Sequence, residues 1–388
     1  MKGNMLIVHG GAPTAVMNAS LYGAIVEAQK HHQIEHIYGA NGGTGGILRE
    51  EFLDLSAAST EKLNLLLQTP ASAIGTSRDR LEPEDYQRMV EILRRHNIRW
   101  LLVNGGNGSM DTCGKIQAAA DGNDIAIVGI PKTIDNDIAV TDHAPGYGSA
   151  ARYIAATVSE ISQDIMALPI HVCIVETMGR NAGWIAAASA LARGDGGGPD
   201  LIYLPERPFD EDAFLEQAEQ LYRQKGGVMV VVSEGLRNQK GEPVGKPIFE
   251  VDRSVYYGDV GSELANLVIR RLGIKARSEK PGLCGRASIA HQSQLDLEEA
   301  ILAGAEAVKA SLQGITSVMV GFRRVAGEDY RVEIIHIPIQ EVMLHEKTLP
   351  DSYIHANNHD VTDSFVHWCR PLIGPPLRKF ANFRHTGV

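Results

Sequence analysis

A hydroxyl and two carboxylates recur at every second position in Thr133-Ile134-Asp135-Asn136-Asp137. The segment follows a short apolar run over 124–128 whose branched side chains suit a buried parallel strand. Pro131 has no N–H for a sheet ladder and disfavours helix at Ile130, so the strand ends there and the chain leaves it extended. Extended backbone would turn Thr133, Asp135 and Asp137 to one face. At the carboxyl end of a strand, that trio fits a general base beside a metal-binding group. The competing reading is a turn rich in Asp and Asn, residues that bond their own backbone.

Further groups with possible chemistry sit in glycine-bounded loops. Residues 5–8 read as a strand running into Gly10 and Gly11, with a helix opening at Met17. Glycine at such a junction lets backbone N–H groups approach an anion at the positive helix end, or merely makes the turn. The strand over 99–103 leads likewise into Gly105-Gly106-Asn107-Gly108-Ser109, where Ser109 would cap the next helix with Asp111 in its first turn. Between them, Arg78 either clamps a phosphate or pairs with a surface acid. Ligands of open parallel sheets gather outside the carboxyl ends of the strands, so three such loops together favour a phosphate site. The dinucleotide pattern G-x-G-x-x-G is missing from the first loop, which counts against a nicotinamide enzyme.

These loops need strands and helices to hold them. Strands over 34–38, 317–322 and 330–337 and helices over 59–67 and 298–311 complete one α/β unit. Residues 39–46 read as a loop too rich in glycine to be ordered by its own side chains. After a helix to about Met166 the pattern restarts, with strands over 171–175, 201–204 and 228–232. The first of these leads into Met178-Gly179-Arg180 and the last into Ser233-Glu234-Gly235. A chain of 388 residues is long for one core, so two domains are expected. Hydrophobic content of 44% with 40 glycines suits α/β architecture with many tight turns.

The net charge of −10 argues against nucleic acid as a partner. Four cysteines without C-x-x-C spacing read as reduced thiols. The opening apolar run is too short for a secretory signal, and the apolar stretch over 184–192 is less than half a membrane span. A cytoplasmic protein is expected. The basic cluster over 275–286 reads as a phosphate-binding rim or as plain surface charge, and the tail from Lys347 shows no recognisable site.

Taken together, Gly10-Gly11, residues 105–109, Pro131-Lys132-Thr133-Ile134-Asp135-Asn136-Asp137, Met178-Gly179-Arg180, Ser233-Glu234-Gly235 and Arg286 resemble the phosphofructokinase family in family order over roughly 3–310. The resemblance implies two similar doubly wound parallel-sheet domains with the active site in the cleft between them. A donor domain would span 1–147 plus about 288–345, and a sugar-phosphate domain 148–287 plus about 346–388. The implied reaction is Mg²⁺-dependent phosphoryl transfer to the 1-hydroxyl of fructose 6-phosphate. Carried over by position, Asp135 is the general base, with Thr133, Lys132 and Arg180 in the catalytic set. Gly10, Gly11, Arg78, Gly106, Asn107, Gly108 and Ser109 fall at the donor phosphates. Thr133, Asp135, Asp137, Met178, Gly179, Arg180, Glu234, Arg277, Leu283 and Arg286 meet the sugar phosphate, and Asn107 and Asp137 the metal. Shared sites in the family imply a homodimer or homotetramer.

The sequence departs from the family pattern at several of these positions. Asn107 replaces a metal-binding Asp, Leu283 a His or Tyr, and Gly285 a Gln. His171 stands where a neighbouring subunit often supplies a 6-phosphate arginine. Gln163 replaces an effector-site arginine, which counts against effector control. The altered 6-phosphate contact at His171, together with Leu283 and with Arg277 and Arg286 retained, implies an acceptor preference looser than, or displaced from, fructose 6-phosphate. A protonated His171 would make sugar-phosphate affinity fall between about pH 6 and 8. Lys132 matches members that use pyrophosphate, whereas Gly108 leaves room for a nucleotide α-phosphate; the balance favours ATP, with pyrophosphate the alternative. A non-catalytic sugar-phosphate sensor is a reading of a different class, opposed by the intact Asp135 and Arg180.

Overall fold

The computed structural model describes residues 2–381 except 123, 195–196, 252–253, 328 and 344, with backbone alone at 250–251 and 254–257. Its strands are β1 Gly3–His9, β2 Ile34–Ala40, β3 Phe52–Asp54, β4 Ile98–Gly105, β5 Ala126–Pro131, β6 Val172–Thr177, β7 Leu201–Tyr203, β8 Val228–Ser233, β9 Pro247–Val251, β10 Ser254–Tyr257, β11 Ala276–Glu279, β12 Val318–Arg324 and β13 Val332–Pro338. The chain forms two compact units, Met1–Ser149 with Arg286–Lys347, and Ala150–Gly285 with Thr348–Val388.

In the first unit seven strands form one sheet in the order β13-β12-β5-β4-β1-β2-β3. The five from β12 to β2 in that order run parallel, and the edge strands β13 and β3 are antiparallel to their neighbours. Alternate side chains feed opposite faces, as a doubly wound sheet requires. Met5 and Ile7 of β1 pack with helices Met17–Ala28 and Gln294–Leu312. Leu6 and Val8 pack with helix Pro83–Arg95 and with Cys113 and Ile116 of helix Asn107–Ala120. The two helices on the first face approach closely through glycine: any Cβ on Gly23 would overlap the Ile301 carbonyl, and one on Gly304 the Ser20 carbonyl.

The second unit carries a four-stranded parallel sheet, β11-β6-β8-β7, and a separate β9–β10 hairpin. Strands β6 and β8 are buried at every position, in keeping with their apolar runs over 172–175 and 228–232. The C-terminal tail belongs to this core. Tyr353, Phe365 and Trp368 gather around Trp184, with ring centroids 4.9–6.4 Å apart.

The expected strands and long helices are present with their ends shifted by a few residues, while β3, the β9–β10 hairpin and β11 were not anticipated. Residues 39–46 differ in kind from expectation: Gly43–Leu48 is helical, because the Asp79 carboxylate accepts from the Gly45 N–H and the Thr44 hydroxyl. Order comes there from a side chain more than thirty positions away.

Candidate active site

Strands β1, β4 and β5 are parallel neighbours with His9 opposite Asn104 and Gly105 opposite Pro131. Their carboxyl ends therefore bring the loops beginning at Gly10, Gly106 and Lys132 side by side. Arg78 joins them from the next loop, since the Gly11 N–H donates to the Ser77 carbonyl and the Thr76 hydroxyl to the Gly11 carbonyl.

The glycines act differently from the sequence expectation. The Gly10 and Gly11 N–H groups are taken by the Asn104 and Ser77 carbonyls, so neither faces an anion. Glycine is needed instead for packing: a Cβ on Gly10 or on Gly105 would overlap the Ser109 hydroxyl. Ser109 is not a cap either. Helix Asn107–Ala120 starts two residues earlier, with Gly106 at its N-cap. The first N–H groups of that helix, at Asn107 and Gly108, have no preceding turn to bond, the condition under which a helix start can receive an anion. A Cβ on Gly108 would meet nothing within 4 Å.

Lys132 is the deepest charge of the group, 4% exposed, with its Nζ donating to the Ala12 carbonyl at 2.6 Å. A Cβ on Gly11 would lie 3.4 Å from that Nζ. Burial lowers the ammonium to about 8; Asp135 and Asp137 oppose the shift, and Arg78 and Arg286 add to it. His9, fully buried beside this group, is lowered to about 3 by burial and by Lys132, and is neutral.

The acid segment is a turn and not an extended run. Asn136 is left-handed (φ 52°), and the Asp135 N–H donates to the Thr133 hydroxyl at 3.0 Å. The short hydroxyl–backbone bond outcompetes extension, which no ladder enforces beyond Pro131. Thr133 and Asp137 nevertheless meet, at 3.0 Å from Thr133 Oγ1 to Asp137 Oδ1. The other Asp137 oxygen accepts from Asn107 Nδ2 at 3.1 Å, and the same amide bonds the Asp137 carbonyl. Those bonds fix the Asn107 amide and leave its Oδ1 buried without a partner. An orphaned oxygen beside a carboxylate fits Mg²⁺, which takes one or two protein oxygens and completes its shell with water and phosphate. Among the described residues no cluster of three His, Cys, Asp or Glu is placed to hold a metal, so a cation here depends on this mixed pair.

In the second unit, β6 and β8 are adjacent and parallel, with Thr177 opposite Ser233, so Met178-Gly179-Arg180 and Glu234 emerge together. Glu234 Oε1 accepts from the Gly179 and Arg180 N–H groups, at 3.3 Å each. Gly179 (φ 133°) and Arg180 (φ 50°) make the bend that aims both N–H groups at it. Gly235 has no room for a side chain, because its Cβ would overlap the Arg180 carbonyl.

Arg277 does not join them. It lies opposite Cys173 near the amino ends of β6 and β11, and with His171 and Lys275 it lines a cavity of about 460 Å³. Four residues of strand separate Cys173 from Thr177, roughly 13 Å at ~3.3 Å per residue. Within one chain Arg277 therefore stands apart from Glu234 and Arg180. His171 is 4% exposed with Nε2 unpartnered, and burial, then the charges of Arg277 and Lys275, lower its pKa. It is therefore neutral where a protonated ring was considered. Lys280 is not a free cation of the basic cluster, since its Nζ pairs with Glu176 at 2.9 Å and with Asp259. Arg286 falls in the first unit, and Leu283, in the second, is 64% exposed.

Three supporting residues were missed. Lys347, in the tail set aside as featureless, donates to the carbonyls of Thr141 and Asp142, and its N–H to that of Asp137. Asp296 accepts from the Gly146 and Ser149 N–H groups and the Ser149 hydroxyl, and burial raises it to about 6. Glu206 accepts from the Gly183 and Leu349 N–H groups at 2.8 Å each, holding the loop after Arg180. No local pattern marks any of them; each acts across at least 23 positions.

The first unit's glycine loops, buried ammonium and clustered acids, at the carboxyl ends of parallel strands, are of the kind a phosphotransferase on a doubly wound α/β scaffold uses. The phosphofructokinase family model matches residues 4–311, and the chain belongs to that family. The pyrophosphate–fructose 6-phosphate 1-phosphotransferase of Rhodospirillum rubrum is 38% identical over 96% of this chain and 95% of its own length. A sulfofructose kinase of Alkalicoccus urumqiensis is 31% identical over 95% of each chain. Among solved structures, the pyrophosphate-dependent phosphofructokinase of Marinobacter aquaeolei aligns with a TM-score of 0.88 at 36% identity, covering 98% of this chain and 94% of that one. The full-length relatives named for pyrophosphate weigh against the preference for ATP that rested on Gly108.

Proposed function

We propose that the chain transfers a phosphoryl group from pyrophosphate to the 1-hydroxyl of fructose 6-phosphate or a close analogue, in the cytoplasm. The observation that carries this reading is the buried Lys132 ammonium, held against Gly11 between the donor loops and the acid turn. A small donor with no organic part offers only oxygens to grip, and a desolvated cation grips them strongly. Gly106, Asn107, Ser109 and Arg78 would surround the same phosphates. Asp135 would take the hydroxyl proton, and the Thr133–Asp137 pair would hold the reacting end. Mg²⁺, held by Asn107 and Asp137, would supply neutralisation of the donor's charge. Arg180 would meet charge developing between donor and acceptor, and Glu234 with Met178 and Gly179 would orient the sugar. Such transfer asks mainly for positioning and charge compensation, which these groups provide.

ATP remains a second reading of the donor, favoured by the open space over Gly108. For the acceptor, a neutral His171 and an exposed Leu283 favour looser recognition of the 6-substituent, including a singly charged sulfonate. Arg277 and His171, at the far strand end, would serve the site of a second copy, with Arg286 acting in its own chain; this makes a homo-oligomer part of the reading. The test is a matrix of initial rates with pyrophosphate and ATP against fructose 6-phosphate and its 6-sulfonate analogue. Turnover highest with pyrophosphate is expected. Turnover with ATP alone would replace the donor assignment.

A further inference from the structure

A cavity of about 420 Å³ opens at the carboxyl end of β7, on the edge of the second unit's sheet, and none of the residues assigned to donor or sugar lines it. Its volume is within the range of ~300–1,000 Å³ that small-molecule sites occupy, and strand carboxyl ends are where open parallel sheets take ligands. The floor is apolar and aromatic: Tyr203 and Phe209 meet edge to face at 5.1 Å, with Leu236 beside them.

The polar groups around this floor are oriented by bonds within the protein. Gln217 Oε1 accepts from the Tyr203 hydroxyl at 2.6 Å, which leaves the Gln217 Nε2 protons to the cavity. Asn357 Oδ1 accepts from the His359 N–H, leaving its Nδ2 as a donor. Gln239 Nε2 donates to Asp210, leaving its Oε1 as an acceptor. His359 Nδ1 is buried and has no partner. The charges nearby are already compensated, Arg207 by Asp351 at 2.9 Å and Asp210 by the Ala213 N–H and Gln239.

We propose that this cavity is a second binding site, built for a neutral planar heterocycle of the nucleobase class. An aromatic floor suits contact with the face or edge of such a ring. Fixed amide donors and acceptors at the edge suit a ring carrying both kinds of group, and the compensated charges disfavour a phosphate or carboxylate.

The test is equilibrium dialysis of adenosine against the full chain with saturating pyrophosphate and fructose 6-phosphate present, so that donor and acceptor sites are filled. One saturable site per chain is expected. Gln217→Glu keeps an acceptor for Tyr203 but removes the presented donor, and should weaken binding by about tenfold or more. Ala213→Trp, at an exposed position on the cavity wall, should abolish it, with kcat unchanged in both variants. Absence of saturation, binding indifferent to both substitutions, or displacement by raising pyrophosphate would each overturn the proposal. A failure here leaves the transferase reading standing, because turnover is measured separately.

Discussion

Asp135 sits on a turn whose backbone N–H is tied to the Thr133 hydroxyl, which fixes the backbone that carries its carboxylate. Asp135→Asn keeps that geometry and removes the base. A fall in kcat of about 10²–10⁴-fold is expected, with sugar-phosphate KM nearly unchanged; wild-type turnover would remove Asp135 from the role. Gly108→Asp puts a carboxylate into open space beside the donor loops. The ratio of kcat/KM for ATP to that for pyrophosphate should collapse, and an unchanged ratio would mean that Gly108 does not discriminate. His171 gives a prediction opposite to the one its sequence invites. Its pKa is lowered by burial and by Arg277 and Lys275, so the neutral ring is favoured over the protonated one at neutral pH. The KM for the sugar phosphate should therefore change less between about pH 6 and 8 than a ring of ordinary pKa would make it; a rise as steep as for an unshifted imidazole would contradict the lowered pKa. At this scale the reactive residue types were legible in the sequence, and their conformations were not. The trio read as extended is a turn because a hydroxyl two residues back captures the Asp135 N–H. Lys347, Asp296 and Glu206 escaped notice because what they hold lies far away in sequence.

At the scale of elements, the first unit depends on two helices meeting without side chains between them. Gly304 packs on the Ser20 carbonyl and Gly23 on that of Ile301. Gly304→Val should lower stability by about 1–3 kcal/mol through overpacking, read as a lower urea midpoint with the same denaturant slope. Helix and strand periodicity made these elements visible, since alternating faces and buried apolar runs are written locally. The helix at Gly43–Leu48 was hidden because Asp79 orders it, and β11 because an edge strand of alternating polar residues carries no apolar signal.

Across the whole molecule, one buried network links helix Gln294–Leu312 to the loop that follows the acid turn. His143 lies between Asp142 (2.9 Å) and Glu299 (2.6 Å), and the Tyr330 hydroxyl donates to the same Glu299. Burial alone would lower the imidazole, but the two carboxylates raise it to about 9. A raised folded pKa gives stability that is complete below about pH 6.5 and is lost as pH climbs through 9. The loss is on the order of 3 kcal/mol. Denaturant titrations at pH 6 and 9.5 should show it, and His143→Gln should flatten the difference. The transferase account also reaches beyond one chain. Because Arg277 stands at the opposite strand end from Arg180, mixing Arg277→Ala with Asp135→Asn protein should restore activity, up to about a quarter of wild type for a randomly re-paired dimer. No recovery after verified subunit exchange would confine each site to its own chain.

The most direct measurement is ³¹P NMR of the wild-type chain with Mg²⁺, fructose 6-phosphate and pyrophosphate. The account predicts loss of the pyrophosphate signal with orthophosphate and a new C1 phosphate ester appearing in equal amounts, and both forming at least about a hundredfold more slowly with Asp135→Asn. Orthophosphate without the ester, or the same products from the Asn variant at the wild-type rate, would contradict it.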